Sequence, residues 1–307
     1  MSILDFVGNT PLIRLKFLNT QRNIKIYAKA EFMNPSGSVK DRAAKEMLLD
    51  GIERGLLTKD KTIIDATSGN TGIAFAMMGA ALGYKVKLCI PANACIERKR
   101  LLRAYGARII ETEPLEGIDG AIVTAKSIAA ADPEKYFYPD QYSNRANLIA
   151  HYKTTAEEIW YQTEGRITHF VAGTGTTGTF TGSSLKLKEL EPDIKTVIVQ
   201  PDSPFHGIEG FKSLDATMKP DIFAPSLVDK RIDISTEAAY KMCRRLVREA
   251  GLFVGISAGA NVEAAARLAE EVPDNSVIVT ILCDSGTRYF SEPLWEDLND
   301  LHQQTSS

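Results

Sequence analysis

Residues Asn34 to Arg42 read NPSGSVKDR and follow, after Met33, the alternating run IKIYAKAEF of residues 24–32. The alternation predicts a strand, and Pro35, Gly37 and the serines predict a turn leading into a helix. Lys40 stands where the strand gives way to that helix. A lysine on an open surface needs no such setting, whereas one that must sit at a fixed place in a pocket does.

The same strand-loop-helix rhythm runs along the chain. Residues 61–91, KTIIDATSGNTGIAFAMMGAALGYKVKLCIP, predict strand, loop, helix and strand, with Gly83 ending the helix. CIERKRLLRAYGARIIETE (95–113) predicts a helix ending near Gly106 and then a strand, and GAIVTAKSIAAAD (120–132) a further helix. Strands and loops follow in ITHFVAGTG (167–175), IKTVIVQPD (194–202) and SVIVTILCDSG (276–286), with two helices between Thr236 and Val272. The apolar bursts lack clean alternation, which is the pattern of a parallel sheet covered on both faces. An α/β fold of two lobes is expected, each a twisted, mostly parallel sheet flanked by helices. The boundaries read 1–40 for an N-terminal segment packing on the large lobe, 41–145 for a smaller mobile lobe, and 146–307 for the large lobe. A ligand would lie in the cleft between the lobes.

Bulk properties narrow the function. The 307 residues are 44% hydrophobic and 24% charged, enough for more than one core. A net charge of -3 with interspersed signs and no basic stripe argues against nucleic acid. No apolar run is long enough to span a bilayer, and Met1 to Leu15 lacks the basic start of a signal peptide. Cys89, Cys95, Cys243 and Cys283 have neither zinc spacing nor disulfide-scaffold density, so a cytoplasmic protein is expected. No metal site is expected either, since His151, His169 and His206 lie far apart and no His-Glu-x-x-His occurs. His151 reads as a structural hydrogen bonder, and Cys243 as a buried helical residue.

Two loops carry binding chemistry. VAGTGTTGTFTG (171–182) follows a strand and precedes the helical segment SSLKLKEL. Its glycines allow a ligand close to the backbone and its threonines add donors, which together form a phosphate cradle. It is neither a Walker loop nor a dinucleotide fingerprint; a structural turn is the plain alternative. In ATSGNTGIAFA (66–76), Thr67, Ser68, Asn70 and Thr71 can present hydrogen bonds to a carboxylate, with ordinary helix capping as the alternative. Two cradles and a positioned lysine suit a phosphorylated aldehyde cofactor held on Lys40 as a Schiff base, with an amino-acid substrate held by its carboxylate.

These stretches resemble the cysteine synthase family among the tryptophan-synthase-beta-like, fold type II pyridoxal phosphate enzymes, and the B-type bacterial O-acetylserine sulfhydrylases in particular. GNTPLIRL, NPSGSVKDR, ATSGNTGIA, ERKRLLRAYGA, AHYKTTAEEIW, ITHFVAGTGTTGTFTG and GISAGA carry the likeness nearly end to end. The resemblance implies pyridoxal 5'-phosphate on Lys40, with Asn70 hydrogen-bonded to its ring oxygen. It implies a phosphate loop of Gly175, Thr176, Thr177, Gly178 and Thr179, and a carboxylate site of Thr67, Ser68, Thr71 and Gln141. Ser257 and Cys283 are both candidates to face the pyridine nitrogen, and the resemblance leaves the choice open. It further implies a homodimer that forms L-cysteine from O-acetyl-L-serine and sulfide through an α-aminoacrylate, with Lys40 as the base.

Other readings within the cofactor class are a β-substituted alanine synthase using O-phosphoserine or serine, and one using a thiol such as that of cystathionine synthesis. A catalytically silent homologue is the reading from another class, and intact Lys40 and phosphate loop oppose it. Two places depart from the family pattern. Ala94 and Cys95 replace a usual Met-Ser pair, either enlarging the site or merely changing packing. In QPDSPFHGIEGFKSLD (200–215), Lys212 is either a ligand for a phosphorylated leaving group or an ordinary surface lysine.

Overall fold

A computed structural model describes residues 1–18, 22–67 and 69–295. The chain opens with β1 (Leu12–Arg14), β2 (Lys25–Ala30) and helix α1 (Lys40–Glu53). There follow β3 (Thr62–Ala66), α2 (Asn70–Leu82), β4 (Lys85–Pro91), α3 (Ile96–Ala104), β5 (Arg108–Thr112), α4 (Gly117–Ala131) and β6 (Tyr136–Phe137). Helices α5 (Arg145–Ala150) and α6 (Ala156–Gln162) are joined by a π turn at His151–Thr155. The rest comprises β7 (His169–Gly173), α7 (Gly178–Leu190), β8 (Lys195–Pro201), β9 (Lys230–Ile234), α8 (Thr236–Ala250), α9 (Ile256–Ala269) and β10 (Val277–Leu282).

The strands form two sheets, ordered β1-β2-β10-β7-β8-β9 and β5-β4-β3-β6. Only the β1–β2 pairing is antiparallel among those described. The two-lobed α/β architecture with mostly parallel sheets is therefore present. Each sheet lies between two apolar cores. In the larger, Ile26, Val197 and Ile278 pack with α8 and α9, while Phe170, Ile198 and Ile281 pack with Phe180 and Leu187 of α7. In the smaller, Ile63 and Leu88 join α1 and α2, and Ile64 and Cys89 join α4. β10 is buried at every position, which is why its sequence shows no alternation.

Local signals account for the helix ends. Ser235 caps α8 by accepting from the Ala238 N–H, and Ala239, Met242, Cys243 and Leu246 form its buried stripe. Gly83 terminates α2 in the left-handed conformation. The helix after the glycine-threonine loop differs from expectation: α7 begins at Gly178 instead of at the segment SSLKLKEL. The early glycines serve close packing inside that helix, since a Cβ at Gly182 would lie 2.0 Å from the Leu148 carbonyl oxygen of α5.

The topology gathers the functional loops. Residues 34–39, Thr67 and Gly69, 174–177, 202–212 and 283–288 each follow the carboxyl end of a parallel strand, where ligands of open α/β sheets bind.

Candidate active site

Lys40 is the first residue of α1, and the turn before it is tied to the end of β10. The Val39 N–H donates to the Cys283 carbonyl at 2.8 Å, and Ser38 bridges Asp284. The two residues after Lys40 anchor it from the other side. Asp41 accepts from the Ser36 N–H at 2.6 Å and from the Ser36 hydroxyl. Arg42 lies in a buried charge network: it bonds Glu31 at 2.7 Å and Glu158 at 2.6 Å, and Lys29 meets Glu158 at 2.6 Å. Thr10 donates to Glu31 at 2.7 Å. Burial pushes the Glu31 carboxyl up, but the Arg42 charge and hydrogen bonds outweigh it and hold the group at about 2. Sequence reading did not single out the partners of Arg42, because Thr10, Glu31 and Glu158 come from three separate segments.

Burial raises the Asp41 carboxyl to about 6, against the lowering effect of Ser36 and the Arg288 charge. Between about pH 4 and about pH 6 the folded protein therefore holds a proton that the unfolded chain has released. This carboxyl withdraws stability as pH rises through that window and adds no further dependence above it. Asp41→Asn should remove the dependence. Its Tm relative to the parent should rise by about 3 °C from about pH 5 to about pH 8; a constant offset in a pH series of thermal melts would refute the assignment.

Two adjoining cavities meet at Lys40. The inner one, about 40 Å³, is lined by Lys40, Asn70, Gly175, Thr176, Thr177, Thr179, Ser257 and Cys283. The outer one, about 180 Å³, is lined by Lys40, Thr67, Asn70, Thr71, Gln141, Gly175 and Thr176, with Arg98, His206, Glu209 and Lys212 beyond them. Ser68 lies outside the described residues. Gly178 lines neither cavity; a Cβ there would lie 2.1 Å from Asn147 Oδ1, so its part is steric.

Hydrogen bonds connect the two loops. The Thr71 hydroxyl donates to Gln141 Oε1 at 2.8 Å, and Gln141 Nε2 to the Ala66 carbonyl at 2.8 Å. Asn147 donates to the Gln141 carbonyl at 2.7 Å and to the Thr176 hydroxyl at 2.9 Å, joining one cradle to the other. Thr67 Oγ1 accepts from the N–H groups of Gly69 and Gly72 at 3.0 and 3.2 Å, so the capping alternative holds for its oxygen as well. Asn70 donates to Asp284 at 2.6 Å and accepts from Arg288. Burial pushes His151 down to about 3, so it is neutral and its ring joins Thr155 at 2.9 Å to Thr179 at 3.2 Å.

The chain matches the model of the family described as pyridoxal-phosphate dependent enzyme over residues 3–284. The chain belongs to that family. A cysteine synthase of Aquifex aeolicus is 49% identical over 302 residues, covering 96% of this chain and 92% of that one. The structure superposes with a TM-score of 0.91 on cysteine synthase (OASS) of Entamoeba histolytica, at 37% identity, covering 96% of this chain and 90% of that one. O-acetylserine dependent cystathionine beta-synthase of Helicobacter pylori gives 0.91 at 35% identity, covering 96% and 98%. This pyridoxal-phosphate dependent enzyme thus stands with the cysteine synthases, in the fold type II architecture.

The groups lining the inner cavity suit the cofactor's polar ends. Thr177 adopts φ +65, a costly conformation for a β-branched residue, and its buried hydroxyl has no protein partner among the described residues. A phosphate oxygen would satisfy it. A Cβ at Gly175 would lie 2.6 Å from the Gly210 carbonyl oxygen, so only glycine leaves the loop its shape. Ser257 and Cys283 adjoin each other there, and burial pushes the Cys283 thiol up to about 11, leaving it uncharged. Both candidates for the pyridine nitrogen are thus present and neutral.

The two departures from the family pattern fall differently. Ala94 packs on the smaller lobe's core and Cys95 precedes α3 with its thiol 2.6 Å from Glu97; neither lines the cavities. Lys212 is no ordinary surface lysine: it is buried, lines the outer cavity, pairs with Asp119 of α4 at 2.9 Å and lies 4.7 Å from the Tyr142 ring centre.

Proposed function

We propose that this enzyme replaces the β-substituent of O-acetyl-L-serine with sulfide to form L-cysteine. The observation that carries the reading is the placement of Lys40 where a phosphate-type loop and a hydroxyl-amide loop open into the same cleft. Bound pyridoxal phosphate supplies an electron sink for the pair left when a proton leaves the substrate's α-carbon. Gly175 to Thr179 would hold its phosphate, Lys40 its aldehyde carbon and Asn70 its ring oxygen. Neutral Ser257 or Cys283 would face the ring nitrogen and temper the sink, which suits loss of a β-leaving group. Thr67, Ser68, Thr71 and Gln141 would bind the substrate carboxylate. The Lys40 amine would remove the α-proton and later return it.

The lobe of residues 41–145 would close on the carboxylate and exclude water. Arg98–Glu209 and Lys212–Asp119 are ion pairs that bind residues 202–212 to α3 and α4, and they support such a closed form. The assembly proposed is a homodimer, and the compartment a reducing cytosol.

Lys212 is already paired and stacked, which favours an acetyl over a phosphoryl leaving group. The charged outer cavity favours a second reading, in which a thiol larger than sulfide is the nucleophile. The test is to mix the cofactor-loaded enzyme with O-acetylserine, O-phosphoserine or serine and follow release of acetate or phosphate, or consumption of serine. Sulfide or homocysteine is then added and the product identified by mass spectrometry. Acetate release with cysteine formed on adding sulfide is expected. Turnover confined to O-phosphoserine or serine would overturn the first substrate, and product formed with homocysteine but not sulfide would overturn the second.

A further inference from the structure

Asn70 is held by two groups of opposite kind. Its Oδ1 accepts from the guanidinium of Arg288, a group that can only donate. Its Nδ2 donates at 2.6 Å to the carboxylate of Asp284. Both partners come from the segment that follows β10, and both are buried. Each is itself fixed. Asp284 accepts from the Tyr289 hydroxyl at 2.6 Å, its carbonyl accepts the Gly255 N–H at 3.0 Å, and a Cβ at Gly255 would lie 2.1 Å from its Oδ1. Arg288 also donates to the Ser36 carbonyl in the turn that carries Lys40.

The two ends of an asparagine amide are nearly the same shape but opposite in hydrogen-bond sense. Turning the Asn70 amide over would set its oxygen against the Asp284 carboxylate and its N–H groups against Arg288. Both contacts would then pair like with like in a buried place, where an unsatisfied charge-assisted bond is most costly. The amide is therefore locked one way round, and one Nδ2 hydrogen remains for the cleft that Asn70 lines.

We propose that Arg288 and Asp284 are positioning residues that fix the donor face of Asn70 toward the cofactor's ring oxygen. The inference rests on the reading of Asn70 as the ligand of that oxygen. Because Arg288 also holds the Ser36 carbonyl, it ties the Asn70 amide to the turn bearing the cofactor lysine.

Pyridoxal phosphate affinity and the visible absorption of the bound cofactor test this in the full chain with N70A, R288Q, D284N, R288K and the double variants N70A/R288Q and N70A/D284N. R288Q and D284N alone should each weaken cofactor binding about tenfold and shift the absorption in the direction that N70A does. In the N70A background each should add less than about twofold, because their effect passes through the amide. R288K, which keeps a cationic donor, should recover most of the loss. Full additivity with N70A would mean that the pair only supports the fold, and would overturn the inference while leaving the Asn70 reading intact. An N70A protein with unchanged affinity and spectrum would instead overturn the Asn70 reading and the inference with it. Should R288Q fail to fold, the D284N cycle decides on the same criteria.

Discussion

Lys40→Ala should lower turnover by at least about 10³-fold while leaving the fold intact. General acid–base catalysis by one positioned side chain contributes about 10²–10⁴-fold, and Lys40 is also the proposed covalent anchor of the cofactor. Its loss removes both roles. The fold should tolerate the change, because alanine is the best helix former and Lys40 starts α1. Its supports, Asp41 through Ser36 and Arg42 through Glu31, do not involve its side chain. The variant should bind pyridoxal phosphate reversibly, with the absorption of an unlinked aldehyde, and a small primary amine added to the solution should restore part of the rate. Turnover within about tenfold of the parent would remove Lys40 from the chemistry. A protein unable to bind the cofactor at all would show that the covalent link, rather than the loop of Gly175 to Thr179, supplies most of the affinity.

How much of this could be read from the chain depends on the range of the interaction. Strand-loop-helix alternation is local, so the α/β fold was legible, as was Gly83 at the end of α2. The two candidate loops, residues 66–76 and 171–182, were legible because each lies within a dozen residues, whereas Gln141 lies far from the loop it joins. Contacts made by single side chains over long separations leave no period to detect. Lys212 is one case: nothing in the stretch around it names Asp119 as a partner. Arg288 is another, since its ties to Ser36 and Asn70 cross most of the chain. The start of α7 was missed because its early glycines look like loop until α5 is seen packed against them. Asn147 carried no signal, although it joins the two cradles. The structure also explains why distant stretches travel together in the resemblance. GNTPLIRL supplies Thr10, AHYKTTAEEIW supplies Glu158 and NPSGSVKDR supplies Arg42, and the three meet around Glu31.

That meeting point carries the second large effect. Arg42→Met should cost about 3–5 kcal/mol of stability at neutral pH, the range for breaking a buried ion pair by removing one partner. The side chains of Lys29 and Glu31 are 0% exposed and that of Arg42 2%, so solvent cannot replace the lost guanidinium. Glu31 is the group left uncompensated. In the parent its carboxyl is held at about 2, so its contribution is present above the ordinary carboxylate range and is lost as pH falls through that range toward 2. Without Arg42, burial pushes the same carboxyl up, and protonation in acid then relieves the variant. The stability gap between parent and Arg42→Met should therefore be widest at neutral pH and narrow below about pH 5. Adding Glu31→Gln to Arg42→Met should recover part of the loss, because a neutral amide replaces the stranded charge. Urea unfolding at several pH values checks all three expectations. A loss under about 1 kcal/mol, or a gap that widens in acid, would mean that the network contributes no more than an exposed salt bridge. Cofactor retention should fall along with stability, since Arg42 lies two residues after Lys40 in the first turn of α1 and fixes the direction in which that helix leaves the turn.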